Sequence, residues 1–286
     1  MRTSLFQQIL LPIIVFGILH NSLAENAKSN LQNTAANQPQ TNGVDDAIKY
    51  KRLKNIVEFQ KEWVNPRKRQ SQRFPIYQAI YRSGDWNCNS NAFKNFAVAV
   101  SNLTQGKVRL TCDTIDISTD KLFRRKPSFI YFTGNNDFSF QESEIKNLKD
   151  YLYLGGTVWI DSATPGQNTP FDIAVRREFT RVLPNREFKQ VASNSFRNAN
   201  RLYDGHFKGV GLCPGAKGST EPIKAITIGD ELGVIYTLNG YGTTWEMFSS
   251  IDNPNAGDKS LTQEAITNSV KFGFNIVQFL FTRYDR

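Results

Sequence analysis

Two kinds of hydrophobic pattern alternate between Ser128 and Asp161. Ser128 to Thr133 (SFIYFT) is a short apolar run closed by Gly134, and Thr157 to Ile160 is a second, closed by Asp161. Runs of this length without polar alternation predict strands buried on both faces. Between them Ile145, Leu148 and Leu152 recur at helical spacing, Ser139 followed by Glu142 reads as a capping box, and Gly155-Gly156 supplies a left-handed stop. Strand, helix and strand in this order predict a βαβ unit with a right-handed crossover. Ligands of such sheets sit beyond the carboxyl ends of the strands. Gly134, Asn135, Asn136, Asp137, Asp161 and Ser162 therefore fall on the edge where chemistry is expected.

The pattern extends in both directions. Pro75 to Tyr81 predicts a first strand, followed by the turn Ser83-Gly84-Asp85-Trp86-Asn87. Asn91 to Leu103 predicts a helix with Phe93, Phe96, Ala97, Val100 and Leu103 on one face, and Val108 to Cys112 a second strand. Thr169-Pro170 is an N-cap with proline at the first helical position, opening a helix that carries Phe171, Ala174, Val175, Phe179 and Val182 as far as Pro184. Beyond Arg186 the pattern loosens. Residues 193–222 read as long loops, Ile223 to Ile228 and Val234 to Leu238 as a hairpin through Gly229-Asp230, and Asn239 to Trp245 as a glycine-broken loop. Ser260 with Gln263 caps a last helix whose Ile266, Val270, Phe274, Val277 and Leu280 face the core. This rhythm predicts an α/β sandwich with a mainly parallel central sheet over residues 74–286.

The amino-terminal residues belong to another class. Arg2, an uncharged apolar run from Leu5 to Leu19 and the small-x-small triplet Ser22-Leu23-Ala24 read as an export signal, residues 1–24, cut after Ala24. A membrane anchor is the alternative, but the run is shorter than the roughly 20 residues needed to span, and Pro12 interrupts it. The expectation is a periplasmic or secreted protein with no transmembrane span after cleavage. Residues 25–44 hold almost no large apolar residue and read as a disordered linker.

The formal charge of +9 is concentrated in residues 45–73, a basic amphipathic helical segment. Between 49 and 73 stand Lys49, Lys51, Arg52, Lys54, Lys61, Arg67, Lys68, Arg69 and Arg73 against only Glu58 and Glu62. Such a segment suits an anionic surface or an envelope protein, or is simply a solvated face. Few aromatic residues, Phe59 and Trp63 among them, interleave with these bases, so specific nucleic-acid recognition is not expected. Neither GxGxxG after the first strand nor GxxxxGK[ST] occurs, which disfavours a nucleotide cofactor, and no cofactor of any kind is expected.

With these motifs in order, the domain resembles a bacterial family carrying the DUF4159 domain, itself similar to class I glutamine-amidotransferase and ThuA-like flavodoxin-type α/β folds. The carriers are Gly84-Asp85-Trp86, Phe132-Thr133-Gly134 with Asp137-Phe138-Ser139, and Leu148 to Gly156 running into Asp161. They continue with Phe171-Asp172, Arg176-Arg177-Glu178, Leu183-Pro184, Trp245-Glu246 and Phe274-Asn275-Ile276. The resemblance implies a flavodoxin-like three-layer sandwich, class I glutamine-amidotransferase-like. Two departures stand out: Asn135 where the family usually has histidine, and Ser193-Asn194-Ser195 where it usually has Asp-His-Pro.

The chemistry of an amidotransferase needs a thiolate on the sharp turn after a strand and a histidine beside it. The comparable turn reads Ile160-Asp161-Ser162-Ala163, and the one histidine beyond the signal is His206, far along the chain. A Ser162 and His206 hydrolase, or a His206 and Cys213 metal pair, would be short of partners, and no metal site is expected. Asp85, Asp137 and Asp161 all fall at carboxyl ends of strands, where they either form a carboxylate cluster or cap loops. Arg176 suits an anionic or carbonyl ligand, and Trp86 and Trp245 either flank a pocket, as in sugar stacking, or pack in the core. The candidate ligand-binding set is thus Asp85, Trp86, Asn135, Asp137, Asp161, Arg176 and Trp245. Cys88 after the first strand and Cys112 at the end of the second are a candidate disulfide if those strands are neighbours, and three unpaired thiols are the alternative. The leading expectation is a non-catalytic binding module of the cell envelope for a small-molecule or carbohydrate ligand or a protein. The alternatives are a hydrolase of a carbohydrate or amide, and a structural partner in an envelope assembly.

Overall fold

The computed structural model describes residues 72–247 and 261–283. The expectations for residues 1–24, 25–44 and 45–71, and for Ser260 as a cap, lie outside the described residues. The described chain forms strands β1 (Gln72–Ile80), β2 (Val108–Asp116), β3 (Ile130–Gly134), β4 (Val158–Ser162), β5 (Lys189–Gln190), β6 (Lys224–Ile228) and β7 (Glu231–Thr237). Its helices are α1 (Ala92–Leu103), α2 (Lys121–Arg125), α3 (Glu142–Tyr153), α4 (Pro170–Val182), α5 (Tyr241–Glu246) and α6 (Gln263–Thr282). One seven-stranded sheet runs β2-β1-β3-β4-β7-β6-β5. The first five strands in that order are parallel, and β6 and β5 add antiparallel at one margin.

Every residue of β3, β4 and β7 is buried, as their unbroken apolar runs require. Alternate side chains feed two cores. Tyr131, Trp159 and Ile235 pack with α1, α5 and α6, whereas Phe132, Ile160, Val234 and Tyr236 pack with α2, α3 and α4. The result is an α/β domain of three layers with a mainly parallel sheet in the middle. No helix among the described residues is long and apolar enough to cross a membrane.

The structure moves several boundaries for identifiable reasons. β1 starts at Gln72, so the last two residues of the expected basic segment pair with β2 instead. β2 runs on to Asp116, which leaves Cys112 in mid-strand opposite Ile76. The α3 capping box is Gln141 with Glu144, not Ser139 with Glu142: the Ser139 backbone is already engaged by Ser83 Oγ, and Glu142 pairs with Arg181 at 2.7 Å. At Asn239 to Trp245 the expected loop is a six-residue helix, α5, entered through Gly240 at φ +64° and held by burial of Tyr241 and Trp245 one turn apart. Thr262 caps α6 by accepting from Ala265 N at 3.1 Å.

The loop from Val191 to Ile223 is pinned by two buried asparagines. Asn275 exchanges two 2.9 Å hydrogen bonds with the backbone of Phe207, and Asn239 accepts from Glu221 N at 2.6 Å and donates to its carbonyl at 2.9 Å. Gly215 lies so close that a Cβ there would stand 1.9 Å from the Asn239 carbonyl oxygen, so only glycine fits. Thr169 caps α4 as expected, accepting from Asp172 N at 3.1 Å. Thr169→Ala should therefore cost about 1 kcal/mol in urea denaturation, and an unchanged midpoint would remove the cap from the account.

Candidate functional site

The strand order reverses between β1 and β3, so the crevice where a ligand is expected opens beyond their carboxyl ends. Asp85 ties together the loops at that edge. Its carboxylate accepts from Asn135 N at 3.0 Å and from Asn136 N at 3.1 Å, tying the turn after β1 to the loop after β3. Gln78 Nε2 donates to the Trp86 carbonyl at 2.6 Å, and Thr164 Oγ1 donates to Asn135 Oδ1 at 2.8 Å, so the loop after β4 joins the same assembly. Trp86 is half-buried against the core beneath α3 and α4.

Asp161, at the end of β4, is wholly enclosed. Its Oδ2 accepts from Gly242 N at 2.7 Å and from Tyr131 Oη at 3.1 Å, while Oδ1 accepts from Thr237 Oγ1 at 2.7 Å. Burial outweighs these donors and pushes its carboxyl up to about 6. Trp245, on the short helix that Asp161 anchors, is 0 % exposed and stacks on Phe96 with ring centroids 4.2 Å apart. It belongs to the core and not to a pocket wall.

Asp137 is exposed and pairs with Arg177 at 3.0 Å. Arg177 also reaches Glu178 at 2.8 Å, and Arg181 reaches it at 2.6 Å from the other side. Glu178 is buried and takes Phe140 N as a further donor at 3.0 Å. Burial alone would raise its carboxyl, but Arg177, Phe140 N and Arg181 together hold it below the usual carboxylate range. Arg176 turns to a different buried carboxylate, Asp172, at 2.9 Å. Asp172 and Glu178, like Glu144, were absent from the expected site. Their signal was present: both stand in register with Phe171, Val175, Phe179 and Val182, on the apolar stripe of α4, where a charge is out of place unless it is paired.

The structure thus brings Asp85, Trp86 and Asn135 together, encloses Asp161 and Trp245 behind them, and gives Asp137 and Arg176 to separate ion pairs. Ser162 and His206 lie on opposite faces. Ser162 Oγ donates to the Thr164 carbonyl at 2.6 Å, and its neighbour Ile160 marks that face, while His206 packs edge-on against Phe207 and Phe274 in the other core. Cys88, Cys112 and Cys213 are free thiols. Cys112 Sγ faces the Phe93 carbonyl at 3.4 Å from mid-strand, and Cys88 lies beside Asp85, Thr133 and Asp161 beyond the strand ends, so the two are not joined. Burial and then the neighbouring Asp85 push the Cys88 thiol up to about 12, far from a thiolate nucleophile. Among the described residues no three His, Cys, Asp or Glu side chains gather as metal ligands would.

A parallel α/β sheet whose carboxyl-edge loops are cross-linked by their own carboxylates defines a scaffold class more than a reaction. The chain belongs to a family defined by the domain of unknown function DUF4159, whose model matches residues 76–281. No match is found among curated proteins.

Proposed function

We propose that this protein is an exported, non-catalytic binding module of the cell envelope, periplasmic or secreted, on a flavodoxin-like and amidotransferase-like scaffold without the Cys-His pair. The strand order β2-β1-β3-β4-β7 matches the flavodoxin-type order, which supports the scaffold. The export reading rests on residues 1–24, and the basic stretch between 45 and 73 is the proposed contact with an anionic surface or an envelope protein.

One observation carries the choice of binding over turnover. The three edge carboxylates are each committed to a structural partner: Asp85 to two backbone N–H groups, Asp137 to Arg177, and Asp161 to three donors out of contact with solvent. A hydrolytic pair needs both carboxyl groups within reach of one substrate. The recognition surface we assign is the edge carrying the half-buried Trp86, Asn135 and Thr164, an aromatic face beside polar groups that suits a small molecule or carbohydrate.

The test is a thermal-shift screen of the full chain against sugars, amino acids and wall fragments. A ligand raises the midpoint by an amount that grows as RT ln(1 + [L]/Kd), so weak binders register at high concentration. We expect a hit that is lost in Trp86→Ala and recovered chemically unchanged by mass spectrometry. Recovery of a cleaved product whose formation stops in Asp161→Asn would replace this reading with the hydrolase.

A further inference from the structure

Strand β2 forms one margin of the sheet, and no strand among the described residues pairs with its outer side. It is nine residues long, matches β1 residue for residue without a bulge, and holds neither proline nor lysine between Val108 and Asp116. Open edges are ordinarily blunted by such features or by shortness, and β5 at the opposite margin is only two residues long. β2 is the long, unguarded edge. Ile117 N, just past the strand, donates to the Ile80 carbonyl at 3.1 Å, so odd-numbered residues turn their backbone groups to β1 and even-numbered ones turn theirs outward. Val108 N and Thr114 N are taken by Thr104 Oγ1 at 3.3 Å and Asp113 Oδ1 at 2.8 Å. The backbone groups of Leu110 and Cys112 lie between them on the open side.

The side chains along this edge complement themselves. A second copy related by a two-fold axis perpendicular to the sheet runs antiparallel beside β2, with each face of one sheet continuing into the same face of the other. Opposite residues then share a face, which limits the pairing to odd with odd and even with even. With the axis at Thr111, the exposed Arg109 stands opposite the exposed Asp113 of the second copy, and symmetry repeats the pair. Thr111 meets Thr111, and Leu110 meets Cys112 through the backbone groups left open. Opposite charges and facing threonines are combinations that stabilise antiparallel pairs. Shifting the axis to Leu110 or to Cys112 sets Arg109 against Thr111 or Ile115 and loses both of its pairs. Helix α1 lies over this margin, with the Phe93 carbonyl 3.4 Å from Cys112 Sγ, and its Val98 and Leu103 are two of the three exposed large hydrophobic residues among those described.

We propose that β2 is an interface for a second copy of this chain, joining two sheets through antiparallel β2 strands about a two-fold axis at Thr111. Leu110 of each copy exchanges its outward backbone hydrogen bonds with Cys112 of the other, and Arg109 of each pairs with Asp113 of the other. This assembly does not rest on the ligand surface assigned at Trp86.

The experiment is sedimentation equilibrium of the full chain over a range of concentrations. A monomer–dimer equilibrium is expected. Arg109→Asp should weaken it by about tenfold or more, because it turns both opposite-charge pairs into like-charge ones, and Asp113→Arg should do the same. The variant carrying both substitutions restores opposite charges with their places exchanged, and its dissociation constant should return close to that of the unmodified chain. That recovery also separates a lost interface from a lost fold. A chain that stays monomeric at every concentration overturns the proposal and leaves the edge to another segment or partner. A dimer indifferent to the single reversals, or not recovered in the double variant, overturns it by moving the contact to another surface or register. Trp86→Ala should leave the equilibrium unchanged, so this proposal and the ligand reading fail separately.

Discussion

Trp245→Ala should destabilise the domain by about 3–5 kcal/mol, the range for truncating a fully buried tryptophan. The indole is the centre of an aromatic cluster, stacked on Phe96 and lying 5.8 Å from Trp159 and 5.9 Å from Phe93 between ring centroids. Helix α6 approaches it through Gly273, where a Cβ would stand 2.4 Å from the indole ring, so the backbone itself forms one wall and cannot collapse into the space left behind. The indole Nε1 has no hydrogen-bond partner, so Trp245→Phe removes an unsatisfied polar group along with part of the ring and should recover most of the loss. Urea denaturation of both variants checks this. A loss below about 1 kcal/mol for the alanine variant would mean that Trp245 faces a pocket and not the core.

The fold was legible because its signals are local. The apolar runs at 128–133 and 157–160, the Thr169-Pro170 cap and the helical spacing from Phe93 to Val100 each specify an element without knowledge of the rest. Where the reading slipped, a tertiary contact had taken a local group. Ser139 has the chemistry of a cap but its backbone is zipped to Ser83, which moves the box to Gln141. Asn239 to Trp245 has glycines enough for a loop, but burying Tyr241 and Trp245 on one side of the chain makes a helical turn the better packing.

The site was legible only in part, because sequence position tells which residues reach an edge and not which way they are spent. Asp85 and Asn135 were expected near each other and do meet, through the backbone of the loop and not across a ligand. Asp161 was expected at the edge, and it is there in sequence, but α5 folds over it and the Gly242 N–H takes its carboxylate. Arg176 and Arg177, adjacent in the chain, serve two different buried acids, an outcome fixed by their 100° separation around a helix.

Asp161→Asn should leave stability nearly unchanged at about pH 4 and raise it by about 3 kcal/mol at about pH 8. Burial raises this carboxyl from 3.8 to about 6, so the folded state holds its proton more tightly than the unfolded state. A raised carboxyl contributes stability that is fully present below the unfolded value, and it is lost as pH climbs through the folded value near 6. Asparagine carries no such dependence. It also fits: with its oxygen toward Gly242 N and Tyr131 Oη, its amide faces Thr237 Oγ1, whose hydroxyl can turn to the Ile160 carbonyl 3.2 Å away. Urea denaturation of both proteins between those pH values is the measurement, and the difference curve should bend near pH 6. Parallel curves would show that Asp161 titrates at its ordinary value and reaches solvent, which is the accessibility a hydrolytic role requires and the sealed geometry denies.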